Sequence, residues 1–579
     1  MLAKQATLET RDPKHEPRSL ADQRQAWRSE AVAVLGSPAA LSRMMDDALL
    51  RPARGTTPRL TDGWVAAAAA RVVDTISAQR ATWQVWHVAA EAERMVRAAD
   101  FAPEDVDAAV DRLTDAVLSP AWSVPLGETD PVDEPPELRR GDGASVYTVA
   151  GARLYTSRAI LDAEARLVTA AGQGGGRRAD PGTVGLALLE ATANGAELNP
   201  GQAQLVRELA GSGARLQLAL APAGAGKTTA LATLARAWTA DGGIVLGLAP
   251  SAAATAALRA GLGGHCDTLA KLVSCLDTGR LPDWAAGIGP RSLVVVDEAG
   301  MAGTLELARA VEYVLGRGGS LRLIGDDRQL ASVAAGGVLR DIAATHGAAT
   351  LTELVRFTDP AEAAATVALR DGDTIGLGFY LDHHRVHVGD LSTCAGQAYA
   401  AWAADRARGL DALLLAPTRD LATQLNARAR ADRLANTASP GGLEVRLADG
   451  TVAGAGDAVI TRSNDRTLRV TTTDWVKNGD RWTVTGVSSD GRVDVVHAVT
   501  GRRITLPAGY VREHVRLGYA STVHAAQGHT AGTCHTVLSG TESRQLLYVA
   551  LTRGRTANHL YLATVGDGDP HSVITPAAV

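Results

Sequence analysis

From Asn199 onward, short apolar runs alternate with longer alanine-rich stretches in which apolar residues recur every three or four positions. The runs Leu216–Leu220, Ile244–Leu248, Leu293–Val296, Leu321–Ile324 and Leu413–Leu415 are rich in Leu, Ile and Val and read as buried strands. Strands alternating with helices in this way build a mostly parallel sheet, so the fold class is α/β. Between roughly Gly442 and Tyr510 the period changes to two, in "DAVITRS", "RWTVTGV", "VDVVHAV" and "RRITLP", which predicts a small all-β insertion, a barrel. Strand–helix texture returns from Leu517, and the chain stops soon after Val565 with the tail "GDGDPHSVITPAAV".

Upstream, residues 19 to 119 read as helices. Ser19-Leu20-Ala21-Asp22 has the form of a capping box, Gly36 ends the helix it starts, and Ser37-Pro38 opens the next. The helical period continues through Ala81–Ala99, placing Trp83, Trp86 and His87 on one side, a stripe read as core packing. Pro125 to Gly143 is proline-rich and acidic, a linker or long loop. "SVYTVAGARLYTS" predicts a hairpin turning at Ala150-Gly151, and Thr156 or Ser157 caps a helix through about Ala171. "GQGGGRRADP" is a further flexible joint.

The length of 579 residues exceeds one core, so three or four domains are expected. A net charge of -5 confines any nucleic-acid surface to a local groove. The four cysteines show no CxxC pairing, which argues against a disulfide framework or a zinc ribbon and suits a cytoplasmic setting. No stretch is long and apolar enough for a signal core or a membrane span. Lysine is scarce, at positions 4, 14, 227, 271 and 477 alone, so a lysine inside a glycine-rich turn carries information.

That turn is Ala221-Pro222-Ala223-Gly224-Ala225-Gly226-Lys227-Thr228. It fits the phosphate-loop pattern G-x-x-x-x-G-K-[ST], with Ala221 in place of the first glycine. Gly224 and Gly226, with Ala225 between them, let backbone N–H groups converge on phosphate oxygens, and the following helix adds its dipole. Lys227 is expected to reach the β- and γ-phosphates of ATP, the Thr228 hydroxyl to ligate Mg²⁺, and Thr229 to complete the nucleotide contacts. A second anchor is expected where "SLVVVDEAGM" ends a buried run in Asp297-Glu298. Asp297 would hold the metal, and Glu298 would orient and deprotonate a water. An exposed acidic pair at a helix start is the plain alternative, and it leaves unexplained why the pair ends a strand-like run. A water-activating glutamate points to hydrolysis and away from transfer to a small acceptor.

Three more stretches follow in order: "LRLIGDDRQLASV", "GYASTVHAAQGHT" and "LLYVALTRGR". With the phosphate loop and the acidic pair, they resemble the motifs of superfamily-1 DNA helicases of the RecD-like branch. The resemblance implies two RecA-like P-loop motor lobes, a small SH3-like barrel insertion and an α-helical N-terminal domain. The expected organisation is residues 1–124 helical; 125–198 linker, hairpin and helix; 199–345 the first lobe; 346–441 the second lobe, first part; 442–516 the all-β insertion; 517–579 the rest of the second lobe and tail. By the same resemblance Gln202 reads adenine and Gln329 senses the γ-phosphate. Arg356 and Arg553 meet that phosphate across the cleft, and Pro250, Ser251, Thr418, Thr522, His524 and Gln527 face a DNA strand. Arg462, Asn464 and Lys477-Asn478-Gly479 in the insertion are further strand candidates, and a solvated charged face accounts for them equally well. "DHHRVHV", Asp382 to Val388, has metal-like histidine density, but no further cluster supports it.

"ATWQVWHVAAEAERMVR", "DGASVYTVAGARLYTS" and "GDTIGLGFYLDHHRVHVGD" are similar to the region downstream of the nicking domain in actinobacterial MobF-type conjugative relaxases, the TrwC/TraA-like kind. That resemblance implies an ATP- and Mg²⁺-dependent motor on single-stranded DNA and single/double-strand junctions in plasmid transfer, alongside proteins of the conjugation apparatus. Nothing in the chain matches the three-histidine site and tyrosines of the nicking domain, so no nicking is expected. A RecD-like repair helicase and a catalytically silent strand-binding module are the alternatives.

Overall fold

The alternating texture after Asn199 folds as two parallel sheets. The structure, a computed structural model, describes residues 20–49, 59–99, 101–127, 135, 139, 153–329, 337–436, 442–471 and 474–565. The first sheet runs His265–Thr268, Ile244–Ala249, Ser292–Val296, Ser320–Gly325, Leu216–Leu220 and Ala349–Thr350 across its width, each neighbour parallel. Ser292–Val296 is buried along its whole length, because helices cover both faces of the sheet, which is why it reads as an unbroken apolar run. One face packs on Leu205, Leu231 and Trp238, the other on Leu307, Val311 and Val338. Helices Arg158–Ala171 and Pro181–Ala193 join these cores through Leu167 and Leu188. The strand order sets the carboxyl ends of Leu216–Leu220, Ser320–Gly325 and Ser292–Val296 side by side, so the chain after each emerges at one crevice.

The second sheet runs Ala520–Thr522, Ala412–Ala416, Ala531–Leu538, Gly554–Val565 and Val386–Asp390, again all parallel. Its edge strand comes from the histidine-dense stretch. His387 is stacked on Tyr561 at 4.5 Å, so it packs within the sheet layer. His383 and His384 are exposed in the turn before that strand.

Between helix Arg419–Ala435 and strand Ala520–Thr522 lies the period-two segment. It forms an antiparallel sheet in the order Arg503–Leu506, Val493–His497, Arg481–Val487, Ala458–Thr461, Val515–Leu517, around Val459, Trp482, Val484, Val495 and Leu506. Its alternation buries Trp482 and Val484 while Thr483 and Thr485 face out.

Among the described residues, those up to Val72 together with Ala89–Val117 form one compact unit, and Val73–Val88 with those from Leu118 form a second. In the first, Gly36 ends helix Leu20–Leu35 at φ +81° and Ser37 caps helix Pro38–Leu49. Helices Asp62–Gln79, Val85–Ala98 and Val106–Leu118 bury Ala68, Val72, Ala92, Val96 and Leu113.

The structure refines several local expectations. The tryptophan stripe is not a helix face: the helix starts at Val85, Trp83 precedes it in a bridge to Tyr155, and Trp83 is buried while Trp86 is 46% exposed. The second arm of the expected hairpin, Leu154–Thr156, pairs with Val124–Leu126, so the proline-rich segment begins inside a strand. Thr156 donates its hydroxyl to the Ala81 carbonyl and Ser157 caps helix Arg158–Ala171, dividing the two capping candidates. The first arm and its Ala150-Gly151 turn lie outside the described residues, as do Ser19 and the tail. The first sheet also takes Ala349–Thr350 as its edge, past the expected boundary at 345.

Candidate functional site

Strand Leu216–Leu220 leads through Ala221 to Gly226 into helix Lys227–Ala240. Gly224 and Gly226 both have positive φ, 92° and 75°, which only glycine adopts cheaply, and Gly226 is the residue that opens the helix. A Cβ on Gly224 would sit 2.6 Å from Cβ of Arg356, and one on Gly226 would run into the Gln202 amide. The loop is therefore built for close approach by backbone. Gln202 is buried with both amide ends engaged: Oε1 accepts the Asn199 N–H at 3.0 Å and Nε2 donates to the Ala225 carbonyl at 3.0 Å. It sits against the phosphate loop, and an adenine edge would compete for those contacts. Thr228 is exposed and Thr229 half-buried on the first turn of the helix.

Lys227 Nζ lies 3.1 Å from Glu298 Oε1 and 4.0 Å from Asp297 Oδ1, so the strand end and the phosphate loop meet as the sequence implies. Burial works against the lysine's charge, but Glu298 and Asp297 outweigh it and hold its pKa above the usual value. Burial pushes Asp297 up to about 6 against the pull of Lys227. Burial acts on Glu298 in the same direction, yet Lys227, Arg553 and Arg356 hold it below the usual carboxylate range. Glu298 also has φ +52°, a rare conformation for a glutamate, with its N–H held by Asp297 Oδ1 at 2.9 Å. Glu298 is therefore an ionised acceptor held in an uncommon backbone conformation, able to orient a water, and its lowered pKa makes it a weak base for as long as Lys227 stays paired to it.

The arginines come from the segment after Ala349–Thr350 and from the end of helix Arg544–Leu551. Arg356 donates from Nη1 to the Thr552 carbonyl at 2.8 Å. Arg553 donates from Nε to Val549 O at 2.8 Å, from Nη1 to His529 O at 3.0 Å and from Nη2 to Thr552 Oγ1 at 2.7 Å. The carbonyls at this helix C-terminus, the negative end of its dipole, thus hold both guanidinium groups. Arg553 is 2% exposed; burial and then Arg356 bring its pKa down to about 10. The crevice gathers Lys227, Arg356 and Arg553 beside Asp297 and Glu298, three cations that a polyphosphate would engage.

Gln329 lies on the loop after Ser320–Gly325, and its Oε1 accepts from Gln527 Nε2 at 3.2 Å. Two further residues of that neighbourhood are not singled out by the sequence. Tyr548, in the second lobe, accepts the Ala223 N–H at 3.0 Å and donates to Asp326 Oδ2 at 2.8 Å. Arg370 donates to Asp326 Oδ1 at 2.9 Å and to Asp327 Oδ1 at 3.0 Å. The signal for Tyr548 was present, since it lies in "LLYVALTRGR"; its partners were not readable without the fold.

Pro250 and Ser251 follow strand Ile244–Ala249, and Thr418 follows Ala412–Ala416 at the matching place in the other lobe. Ser251 caps helix Ala252–Leu262 through the Ala254 N–H, and Thr418 caps helix Arg419–Ala435 through the Leu421 N–H. Thr522 ends the edge strand of the second sheet, with its hydroxyl on the Ala525 N–H, and His524 is exposed beside it. Within the barrel the candidates divide. Lys477 is 6% exposed, paired with Asp474 and set over the Trp475 ring, so it is part of the barrel's own packing and not a strand contact. Asn464 accepts the Asn478 N–H, and Gly479 supplies a turn at φ +94°. Arg462 is exposed beside Arg516 and Arg419, whose charges repel its own.

The residues fit a nucleotide with Mg²⁺. The two glycines leave the cradle open, and Thr228 and Asp297 offer the hydroxyl and carboxylate such an ion takes, with substrate phosphates and water completing its shell. Among the described residues no three His, Cys, Asp or Glu side chains form an all-protein metal cage. No helix there is long and apolar enough to cross a membrane.

Residues 197–391 match the AAA domain family model, and residues 445–516 match that of the Rv2311 SH3-like barrel domain. The chain is similar to a probable conjugal transfer protein TraA of Sinorhizobium fredii, 29% identical over 69% of this chain and 36% of that protein. It is also similar to the RecBCD enzyme subunit RecD of Mycolicibacterium smegmatis, 28% identical over 51% of this chain and 54% of that one. A crystal structure of a Bacteroides Pif1 helicase with ADP-AlF3 and ssDNA aligns at 18% identity and TM-score 0.41, over 63% of this chain and 92% of that one. The chain spans about a third of the conjugal relative's length.

Proposed function

We propose that the chain is an ATP- and Mg²⁺-dependent DNA helicase or translocase acting on single-stranded DNA and its junctions with duplex, in the cytoplasm, as the motor part of a conjugative transfer protein. The observation that carries this is the crevice between the two sheets. Lys227, Asp297 and Glu298 come from one lobe, while the helix end that holds Arg356 and Arg553 belongs to the other. Bound Mg²⁺ would supply charge neutralisation on the phosphates. The chain's residues do the rest: Lys227 leaves Glu298 to bind phosphate, Glu298 takes a proton from water, and the arginines stabilise the developing charge. Because both lobes contribute, hydrolysis is tied to their approach, and the helix N-termini after Ser251 and Thr418 would move relative to each other along a strand.

The similarity to TraA supports the place in conjugation, with apparatus proteins as partners. The similarity to RecD keeps a repair helicase as a second reading. Strand displacement from a fluorescent forked duplex tests the motor: unwinding should require ATP and Mg²⁺ and vanish in Lys227→Ala. Plasmid transfer frequency with Lys227→Ala in the full-length protein separates the two settings, since a repair role predicts no loss of transfer.

A further inference from the structure

Tyr548 sits mid-helix in the second lobe, 1% exposed, yet its hydroxyl bonds only to the first lobe among the bonds it makes. It accepts the N–H of Ala223 in the phosphate loop and donates to Asp326 at the end of strand Ser320–Gly325. Asp326 organises the loop that follows: Oδ1 accepts the Arg328 N–H at 3.1 Å, and its carbonyl accepts the Gln329 N–H at 3.4 Å. Arg370, from helix Pro360–Asp371, adds two more bonds to Oδ1, at 3.2 and 2.9 Å, and leaves Oδ2 to the phenol. Four residues beyond Tyr548, Thr552 holds Arg356 by its carbonyl, and one residue beyond, Val549 holds Arg553.

One hydroxyl therefore joins three parts: the loop that would grip phosphate, the loop that carries Gln329, and the helix that carries both arginines. A ring needed for packing alone would do the same work as phenylalanine. The hydroxyl adds a donor and an acceptor whose buried partners, an amide N–H and a carboxylate oxygen, would otherwise be left unmatched.

We propose that Tyr548 is a positioning residue for hydrolysis: its hydroxyl locks the phosphate loop and the Gln329 loop to the arginine-bearing helix, so that the site is assembled only when the second lobe is in place. This rests on the reading of the crevice as a nucleotide hydrolase. Tyr548 touches neither the phosphate nor the water. It acts through Ala223 and Asp326, and its loss should lower turnover far more than it weakens nucleotide binding.

The test uses the full chain as wild type, Tyr548→Phe, Asp326→Ala and the double variant, with ATP, Mg²⁺ and saturating oligo-dT. Tyr548→Phe should lower kcat about tenfold or more while KM for ATP changes by less than about threefold, as expected for an interaction that matters in the transition state. The double variant should lose less than the product of the two single losses, because both act through one bond. Thermal unfolding of each variant shows that the protein measured is folded, and should Tyr548→Phe not fold, a matching split of kcat from KM in Asp326→Ala carries the test. A kcat equal to wild type in Tyr548→Phe, a KM that rises as much as kcat falls, or losses that multiply would each overturn the role of Tyr548. A wild-type chain that hydrolyses no ATP would overturn the hydrolase reading, and this inference with it.

Discussion

The side-chain amide of Gln527 donates to Oε1 of Gln329 at 3.2 Å, joining the loop after Thr522 in one lobe to the loop after Gly325 in the other. Gln527 follows the edge of the second sheet, where a strand is proposed to lie, and Gln329 is tied through Asp326 to Tyr548 and the phosphate loop. Under the proposed function the pair would link strand to nucleotide. Gln527→Ala should cut the stimulation of ATP hydrolysis by single-stranded DNA about fivefold or more, the lower range of coupling between sites. Rates with and without oligo-dT measure it; an unchanged ratio removes the pair from the route.

Arg553 is expected to act on transition-state charge. Arg553→Ala should lower kcat about 10³-fold, and Arg553→Lys should recover little of it, because an ammonium cannot span Val549 O, His529 O and Thr552 Oγ1 at once. Single-turnover hydrolysis checks this. Full activity in the lysine variant would mean that charge alone is required.

The five strand candidates all appear in the two parallel sheets, because strands covered on both faces announce themselves as apolar runs. Strands outside those five, such as His265–Thr268 and Val386–Asp390, are harder to read: both are sheet edges, and a sequence such as His-Cys-Asp-Thr carries too few apolar positions. The meeting of Lys227 with Asp297 and Glu298 is legible from motif and spacing, since Lys227 opens the helix after one recognisable strand and Asp297-Glu298 follow the end of another. Tyr548, Asp326 and Arg370 are not, because their roles arise from contacts across more than 40 intervening positions in each case. Nothing in the sequence marks Lys477 as buried, because a lysine next to Asn-Gly looks solvated, and only the folded barrel shows Asp474 and Trp475 enclosing it.

Acid should silence the site through Asp297. Its carboxyl is pushed by burial up to about 6, and only the ionised form offers Mg²⁺ a ligand. Activity at limiting Mg²⁺ should therefore fall as pH drops through about 6, and raising Mg²⁺ should shift the midpoint to lower pH by competing with the proton. Removing the metal with a chelator should abolish hydrolysis at every pH. A pH–rate profile at two Mg²⁺ concentrations decides; coincident midpoints would contradict the assignment of Asp297 as a ligand.

Stability should also fall in acid. Burial brings His529 and His559 down to about 4, below the value of an unfolded histidine. Between about 6.5 and 4 the unfolded chain thus binds protons that the folded chain refuses, so the stability these residues give is present above that window and lost as pH falls through it. Asp297, raised above its unfolded value, works in the opposite direction over part of the range. Thermal unfolding midpoints at pH 7.5, 6 and 5 should decline, and His559→Gln should flatten the decline. A midpoint that rises toward pH 5 would contradict the neutral, buried histidines.

The most direct measurement is ATP hydrolysis by the purified chain with Mg²⁺, with and without single-stranded DNA, beside Lys227→Ala. The wild-type chain should hydrolyse ATP slowly, with DNA accelerating it about tenfold or more, and the variant should hydrolyse none. Hydrolysis indifferent to DNA, or a variant as active as wild type, would contradict a strand-driven motor built on this crevice.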